Sequence, residues 1–384
     1  MTTYKFKLYT SKKNKYLHNQ IDVAAEIYNH CIALHKRYYR MYHKYVSNYT
    51  LQIHITKLKH LPKYKHWYLL GSQAIQNITT RIDRAYQLFF RNLRYNIKTA
   101  PPNFKKRRIY KSFTLIQSGY KLLDGNKIRL GIQVFKYSKS RDIQGNIKLL
   151  TVKRDKSGDI YIHITTDYIK TEVVPLTGKS VGYDFGLKTF LIASDYQDIE
   201  SPMFFNKNRA AIRRANRNLS SKQRGSHNRR KALLNLERVH KKVVNQREDF
   251  QWKLANTLTD NYDTMYFETL DLASMKHRYG RKVSDLAFYS FMQKLQYVAT
   301  TKGKIIICID MYEPSSQMCS VCNYRYRDLT LDEREWHCPI CNTQHDRDRN
   351  ASYNILRVGA STLAVGSISL NPEQPPLIAE SHEL

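Results

Sequence analysis

Lys179-Ser-Val-Gly-Tyr-Asp184-Phe-Gly-Leu-Lys-Thr-Phe-Leu-Ile-Ala-Ser194 predicts a strand, a tight turn at Gly186 and a second strand, with Asp184 near the end of the first. A lone acid there is more often a strand cap or surface charge than a ligand, so its meaning depends on what accompanies it. Asn261-Tyr-Asp-Thr-Met-Tyr-Phe-Glu268 is a second apolar run that ends on a carboxylate. His345-Asp-Arg-Asp-Arg-Asn-Ala-Ser-Tyr-Asn-Ile-Leu356 places Asp346 and Asp348 at the mouth of a helix whose Ala351, Ile355 and Leu356 can pack inward. Asp-Phe-Gly also occurs in protein kinases, but neither a Gly-rich loop nor a His-Arg-Asp catalytic loop precedes it, so that reading fails.

Two strand-end carboxylates and one from a helix suit a two-metal phosphodiesterase. Phosphodiester cleavage develops negative charge on the attacking and leaving oxygens, which two divalent ions neutralise. Magnesium prefers hard oxygen ligands, hence Asp and Glu. Between the second and third acids lie Cys319-Ser-Val-Cys322 and Cys338-Pro-Ile-Cys341, two knuckles separated by fifteen residues. Four thiolates at this spacing predict a tetrahedral zinc ribbon, with Cys319, Cys322, Cys338 and Cys341 as ligands. Four protein ligands leave no open position, so this zinc is structural, and His337 and His345 are surplus to it.

The chain has 384 residues, 42% of them apolar, enough for two or three domains. Its 64 Lys and Arg against 32 Asp and Glu give a formal charge of +32, which points to a polyanionic partner. Nucleic acid is favoured over membrane, because the longest apolar run, Ile305 to Ile309, is strand-sized. Met1 to Lys15 is polar and basic and does not read as a secretory signal, so an intracellular protein is expected, with Cys31 and Cys308 as buried thiols.

Helical periodicity runs from Ile21 to about Tyr45 and again from Ser72 to about Tyr95, where Gln73, Gln76, Asn77, Arg81 and Arg84 occupy the polar face. Between Ala100 and Val174, alternating runs such as Ile128–Val134, Lys148–Lys153 and Ile160–Ile164 predict antiparallel strands joined by Asp-Gly, Gln-Gly and Ser-Gly turns. Tyr4–Tyr9 is also strand-like, so a β-barrel interrupted early by a helical insertion is the simplest arrangement. Pro101-Pro-Asn-Phe-Lys-Lys-Arg-Arg108 marks the seam, with Lys105, Lys106 and Arg107 as candidate phosphate contacts. Lys207–Lys242 carries thirteen Lys or Arg residues and one acid, Glu237, on a helix-compatible sequence interrupted around Gly225. Arg213, Arg214 and Arg217 in it are expected to meet phosphates, which adds to salt dependence rather than to sequence choice. Tyrosines in Arg37-Tyr-Tyr-Arg-Met-Tyr-His-Lys44 could stack on unpaired bases for roughly 1–3 kcal/mol each, although core packing accounts for most of the 29 in the chain. Val358–Leu384, without Lys or Arg, reads as a disordered tail.

The sequence resembles the TnpB (OrfB) proteins of bacterial insertion sequences, transposon-encoded RNA-guided DNA nucleases related to type V CRISPR effectors. The resemblance covers most of residues 1–357. It is carried by Gly-Tyr-Asp184-Phe-Gly-Leu-Lys, the basic stretch ending Asn245-Gln-Arg-Glu-Asp-Phe250, Phe267-Glu268-Thr-Leu, Pro314-Ser-Ser-Gln-Met-Cys-Ser-Val-Cys322 and Asp346-Arg-Asp348-Arg-Asn350-Ala-Ser-Tyr-Asn354. Departures are modest: Tyr183 and Phe185 replace aliphatics, Asn323 replaces a glycine, and Glu313 precedes Pro-Ser-Ser.

The resemblance implies an α+β multidomain fold. An oligonucleotide-binding-type β-barrel (wedge; 1–18 and 100–175) would carry a helical recognition insertion (19–99). An RNase H-like (RuvC) α/β nuclease domain (176–318 and 342–357) would follow, with an inserted zinc ribbon (319–341) and a tail (358–384). It also implies Asp184, Glu268 and Asp348 as the catalytic, magnesium-binding triad, with Asp346 the rival for the third place. Two Mg2+ or Mn2+ ions, structural Zn2+ and a guide RNA from the transposon end would be the cofactors. Double-stranded DNA beside a short flanking motif would be the target, in the bacterial cytoplasm at the nucleoid, and residues Ser72 to Asn77 are candidate readers of that motif. Alternatives on the same scaffold are a guided DNA-binding regulator without nuclease activity, which is expected to lack acids of the triad, and an unguided structure-specific nuclease.

Overall fold

The computed structural model describes residues 1–172, 174–271, 275, 277, 280, 283–330 and 332–364. It divides into two compact units, Met1–Lys170 and Thr171–Leu384.

The first unit opens with β1 (Thr2–Lys7), followed by α1 (Asn14–Tyr42), α2 (Asn48–Lys59), a 3-10 turn (Pro62–Leu69) and α3 (Ser72–Arg94). Helix α1 starts about two turns before the expected Ile21, and the fully buried Leu17 extends its apolar face. Strands β2 (Ser112–Leu115), β3 (Tyr120–Leu123), β4 (Lys127–Leu130), β5 (Gln133–Lys136), β6 (Ile147–Arg154) and β7 (Ile160–Thr166) complete the unit. They form an antiparallel sheet in the order β1-β7-β6-β2 and a separate β3-β4-β5 meander. Leu8, just past β1, bridges to Tyr137, just past β5. The run Ile128–Val134, expected as one strand, is a hairpin instead. Gly131 adopts a left-handed φ of 58° and turns the chain, leaving Ile132 in solvent. Alternate residues of the sheet, Phe6, Leu150, Val152, Ile162 and Ile164, share one core with Ile21, Ile75, Ile78 and Ile82 of the helices.

The second unit is built on a five-stranded sheet in the order β10-β9-β8-β11-β12, formed by β8 (Ser180–Phe185), β9 (Thr189–Ala193), β10 (Ile199–Glu200), β11 (Thr264–Glu268) and β12 (Ile305–Ile309). β10, β9 and β8 are antiparallel, whereas β8, β11 and β12 are parallel. The basic segment becomes α4 (Phe204–Ser220) and α5 (His227–Asn261), packed on one another and separated near Gly225 as expected. α6 (Phe288–Lys302) packs beside α5.

Val181, Tyr183 and Phe185 of β8, with Met265 and Phe267 of β11, point to one face and pack with Leu254, Leu258, Phe291 and Leu295 of α5 and α6. The other face is covered by α7 (Arg347–Ala364), where Tyr266, Ile307, Ile309 and Ile355 form a second cluster. α7 runs on to Ala364, past the expected tail boundary at Val358. The apolar contact of Val358 with this cluster and the close approach of Gly359 to the Tyr266 ring explain the extension. The expected tail residues 365–384 lie outside the described residues. The two small strands β13 (Glu335–His337) and β14 (Gln344–Asp346) pair between β12 and α7. Cys31 is fully buried, as expected, and Cys308 partly so. Among the described residues no helix is long and apolar enough to cross a membrane.

Gly182 marks where α7 presses closest on β8. A Cβ there would lie 2.6 Å from Leu356 N and 2.8 Å from Leu356 Cβ, and would also strike Ser352 O. Backbone atoms of a packed helix cannot yield as a flexible side-chain tip can. Gly182→Ala is therefore expected to cost about 3 kcal/mol, the upper end for an overpacked core, read as a lowered urea midpoint at unchanged slope.

Candidate metal centres

Strand alternation decides which acids meet. Because residues 181, 183 and 185 face α5 and α6, Gly182 and Asp184 face α7; on β11 the same alternation sends Tyr266 and Glu268 to the α7 side. The parallel register pairs Tyr183 with Phe267, so Asp184 and Glu268 stand side by side at the strand ends. Asp348, in the first turn of α7, completes the group. Burial pushes the Asp184 carboxyl well above its ordinary range, and the charges of Glu268 and Asp348 push it further. Burial raises Glu268 from 4.5 to about 7. The structure thus brings Asp184, Glu268 and Asp348 together, a donor set that a hard divalent cation fits.

Asp346 and Asp348 have different surroundings. Asp346 is exposed and its Oδ1 accepts the backbone N–H of Arg349 at 2.7 Å, the geometry of a helix N-cap. Asp348 acts electrostatically on Asp184, and its two oxygens accept from Arg334 at 2.9 and 2.7 Å. Arg347 supplies the positive charge that opposes the rise of Asp184. Arg349 donates to Ala193 O and to both oxygens of Asp198, and its guanidinium lies 4.4 Å from the Tyr196 ring centroid. Ala193 follows Ile192, the cross-strand partner of Asp184. Arg349 therefore ties the start of the Asp348 helix to the strand beside Asp184, against the mutual repulsion of the acids. Sequence reading singled out neither Arg334 nor Arg349, whose partners lie 14 and 151 residues away.

The four cysteine sulfurs all lie within 4.8 Å of one another, a cluster of soft donors that fits zinc. The Thr343 hydroxyl beside Cys341 lowers that thiol to about 6. His345, set aside by spacing, is buried with Nε2 3.1 Å from Cys319 Sγ and its ring against Trp336. It is a neighbour of the cluster rather than a fifth donor to it, of the kind that orients a ligand.

The candidate nucleic-acid contacts are scattered. Gln73, Gln76 and Asn77 lie in the first two turns of α3, Gln76 exposed and Gln73 and Asn77 half-buried; the exposed Arg81 follows one turn later. Arg213 and Arg217 line an open groove of about 520 Å³ along α4 with Arg209, whereas the exposed Arg214 is outside its lining. Lys105 and Lys106 line a separate cavity. Arg107, expected with them, is turned away to Asp22 at 3.7 Å.

Two family models match this chain: OrfB_IS605, "Probable transposase", over residues 162–278, and "Cas12f1-like, TNB domain" over residues 288–355. Over these two segments the chain is similar to the TnpB (OrfB) and Cas12f1-like proteins. The first match contains Asp184 and Glu268, the second the four cysteines and Asp348. A "Putative RNA-guided DNA endonuclease" of Streptomyces pristinaespiralis is 33% identical over 219 residues, 56% of this chain and 54% of the relative. "Putative RNA-guided DNA endonuclease InsQ" of Escherichia coli (strain K12) is 27% identical over 317 residues, 77% of each chain. The chain thus spans about half the length of the first relative and about three quarters of the second. A solved chain from "Cryo-EM structure of the Cas12f1-sgRNA-target DNA complex" shares the fold at a TM-score of 0.55 and 15% identity, covering 90% of this chain and 83% of that one.

Elemental analysis of the purified chain is expected to give one zinc per molecule, lost in Cys338→Ser together with resistance of the ribbon to limited proteolysis. For the acids the sign of the pH effect is fixed. Between about pH 4.5 and 7 the unfolded chain has released the Glu268 proton while the folded chain retains it. Stability in magnesium-free buffer therefore falls as pH rises through that window, by on the order of 3 kcal/mol. Melting curves of Glu268→Gln should lack most of this slope, and added magnesium should restore wild-type stability above pH 7.

Proposed function

We propose that this chain is an RNA-guided DNA endonuclease of a bacterial insertion sequence, cutting target DNA beside a short transposon-associated motif. The observation that carries the reading is the β8–β11 register, which sets Asp184 and Glu268 side by side under the helix that presents Asp348. The strand order, with the first three strands antiparallel and the last two parallel to the central one, supports an RNase H-like assignment for the second unit. The sheets and helices of the first unit support the wedge and recognition assignments for Met1–Lys170.

Asp184, Glu268 and Asp348 would hold two magnesium ions. When bound, these supply charge neutralisation at the attacking and leaving oxygens of the phosphodiester and lower the pKa of a water. The chain's own contribution is placement. β8 and β11 fix two carboxylates on one side, Asp346 caps α7, and Arg349 holds that helix start to Asp198. Arg334 sits at Asp348, where a scissile phosphate would also find a cation. The α4 groove lined by Arg209, Arg213 and Arg217 supplies further backbone contacts. Sequence recognition is delegated to base pairing with the guide, in keeping with a basic surface that reads phosphates.

The reading is tested by purifying the chain from its native host, sequencing any RNA that accompanies it, and assaying cleavage of a matched DNA duplex. Asp184→Ala and Asp348→Ala are each expected to slow cleavage by roughly a thousandfold or more while leaving RNA and target binding intact. Asp346→Ala should cost about 1 kcal/mol of stability, as for a lost cap, and still cleave. Cleavage without any RNA would point to an unguided nuclease. Guided binding without cleavage by the wild-type chain would point to a regulator.

A further inference from the structure

The seam between α3 and β2 is a fixed structure. Asn29 of α1 donates through Nδ2 to Lys105 O at 2.9 Å and accepts from Lys105 N at 2.9 Å through Oδ1, a reciprocal pair that mimics a strand contact. The Tyr28 hydroxyl donates to Asn103 O at 3.1 Å, and Lys36 donates to Asn103 Oδ1 at 2.8 Å. The Lys105 ammonium lies 5.1 Å from the Tyr28 ring centroid. What these bonds hold in place is a cavity of about 360 Å³ lined by Arg81, Lys105, Lys106, Arg108 and Lys111, with Ser112 also in its lining. Among the described residues no carboxylate belongs to this lining. Asp22, near the seam, is engaged by Arg154 at 2.8 Å and Arg107 at 3.7 Å.

Arg81, Lys105, Lys106 and Arg108 converge on this cavity and repel one another, and burial together with the charge of Arg81 depresses the Lys105 ammonium. The bonds from α1 pin the loop against this repulsion. An anion with several acceptor oxygens would relieve the repulsion and meet the guanidinium donors of Arg81 and Arg108. We propose that this cavity is a phosphate site that seats a phosphodiester group of a nucleic-acid backbone, and that Asn29 is the residue that positions it. The proposal rests on the nucleic-acid reading above but needs no cleavage. It differs from a diffuse basic surface in making an uncharged residue outside the cavity essential for affinity.

The test uses the full chain carrying Asp184→Ala, titrated with a single-stranded RNA and, separately, with a DNA duplex. Lys105→Gln and Arg81→Gln are each expected to weaken binding about tenfold and to lower the salt slope by about one. Asn29→Ala should weaken binding by a similar factor with net charge unchanged. A loss confined to the RNA arm assigns the phosphate to RNA, a loss confined to the duplex arm assigns it to DNA, and either supports the site. Wild-type affinity of Asn29→Ala beside weakened Lys105→Gln would leave only a diffuse basic surface and overturn the proposal. Should Asn29→Ala fail to fold, amine acylation of the unmutated chain gives an independent reading: bound RNA or duplex should protect Lys105 at least tenfold more than the exposed Lys188. Equal protection of both lysines would refute the site. A chain that shows this protection but never cleaves DNA would refute the nuclease reading alone.

Discussion

The close approach of α7 to β8 is the contact on which the second unit depends. At Gly182 the sheet has no side chain, and the helix backbone at Ser352 and Leu356 occupies that space. The distance matters for chemistry as well as for packing. Asp184 is two residues further along the same face, and Asp348 is one helical turn before Ser352, so a helix held further out would separate the acids. Gly359 repeats the device one strand over, where a Cβ would lie 2.8 Å from Tyr266 Cγ. Two glycines, one on the strand and one on the helix, thus set both the height and the tilt of the element that carries the third acid.

A chain of formal charge +32 that concentrates carboxylates in one place creates an electrostatic problem of its own. The surplus cations do not spread evenly over it. Desolvation is the leading cause of the rise at both Asp184 and Glu268, ahead of repulsion among the acids. The acids are therefore poised by burial, and the nearby arginines divide the remaining work. Arg334 pairs with Asp348, Arg347 moderates Asp184, and Arg349 is spent on Asp198 and on a backbone carbonyl. Consecutive arginines flanking one aspartate look equivalent in sequence, yet the helical turn sends them to different tasks.

That division explains what the sequence could reveal. Asp184 and Glu268 were legible because each ends an apolar run, and strand periodicity alone sends them to the face opposite the aromatic core. The cysteine cluster was legible because its spacing is local. Residue pattern alone does not separate Asp346 from Asp348, both at the start of the same helix, and the resemblance alone favours Asp348; in the structure Asp346 accepts from Arg349 N whereas Asp348 acts on Asp184. The hairpin at Gly131 was missed because its flanks alternate as one strand would, and only the sign of a backbone angle breaks the run. Asn29 carried no signal at all, being an ordinary polar residue on a helix whose partner lies 76 residues away. Long-range polar contacts leave no periodicity, and this is where reading from sequence stops.

The four-cysteine segment is bound into the helix it precedes. Asn350 donates to Met318 O at 2.7 Å and accepts from Ser320 N at 3.0 Å, and Asn354 donates to Ser315 O at 2.8 Å. Both asparagines are buried, so these bonds cannot be exchanged for water without loss. From the other side, Arg347 N donates to Arg334 O at 2.7 Å, and His345 reaches Cys319 Sγ. The first knuckle therefore grips α7 while the second strand of the ribbon runs directly into it. Asp348 lies three residues beyond His345 and two before Asn350, between the two grips. A metal held by the four cysteines would fix the segment that leads into Asp348. The cysteine cluster and the start of α7, with Asp348 on it, are therefore one mechanical unit.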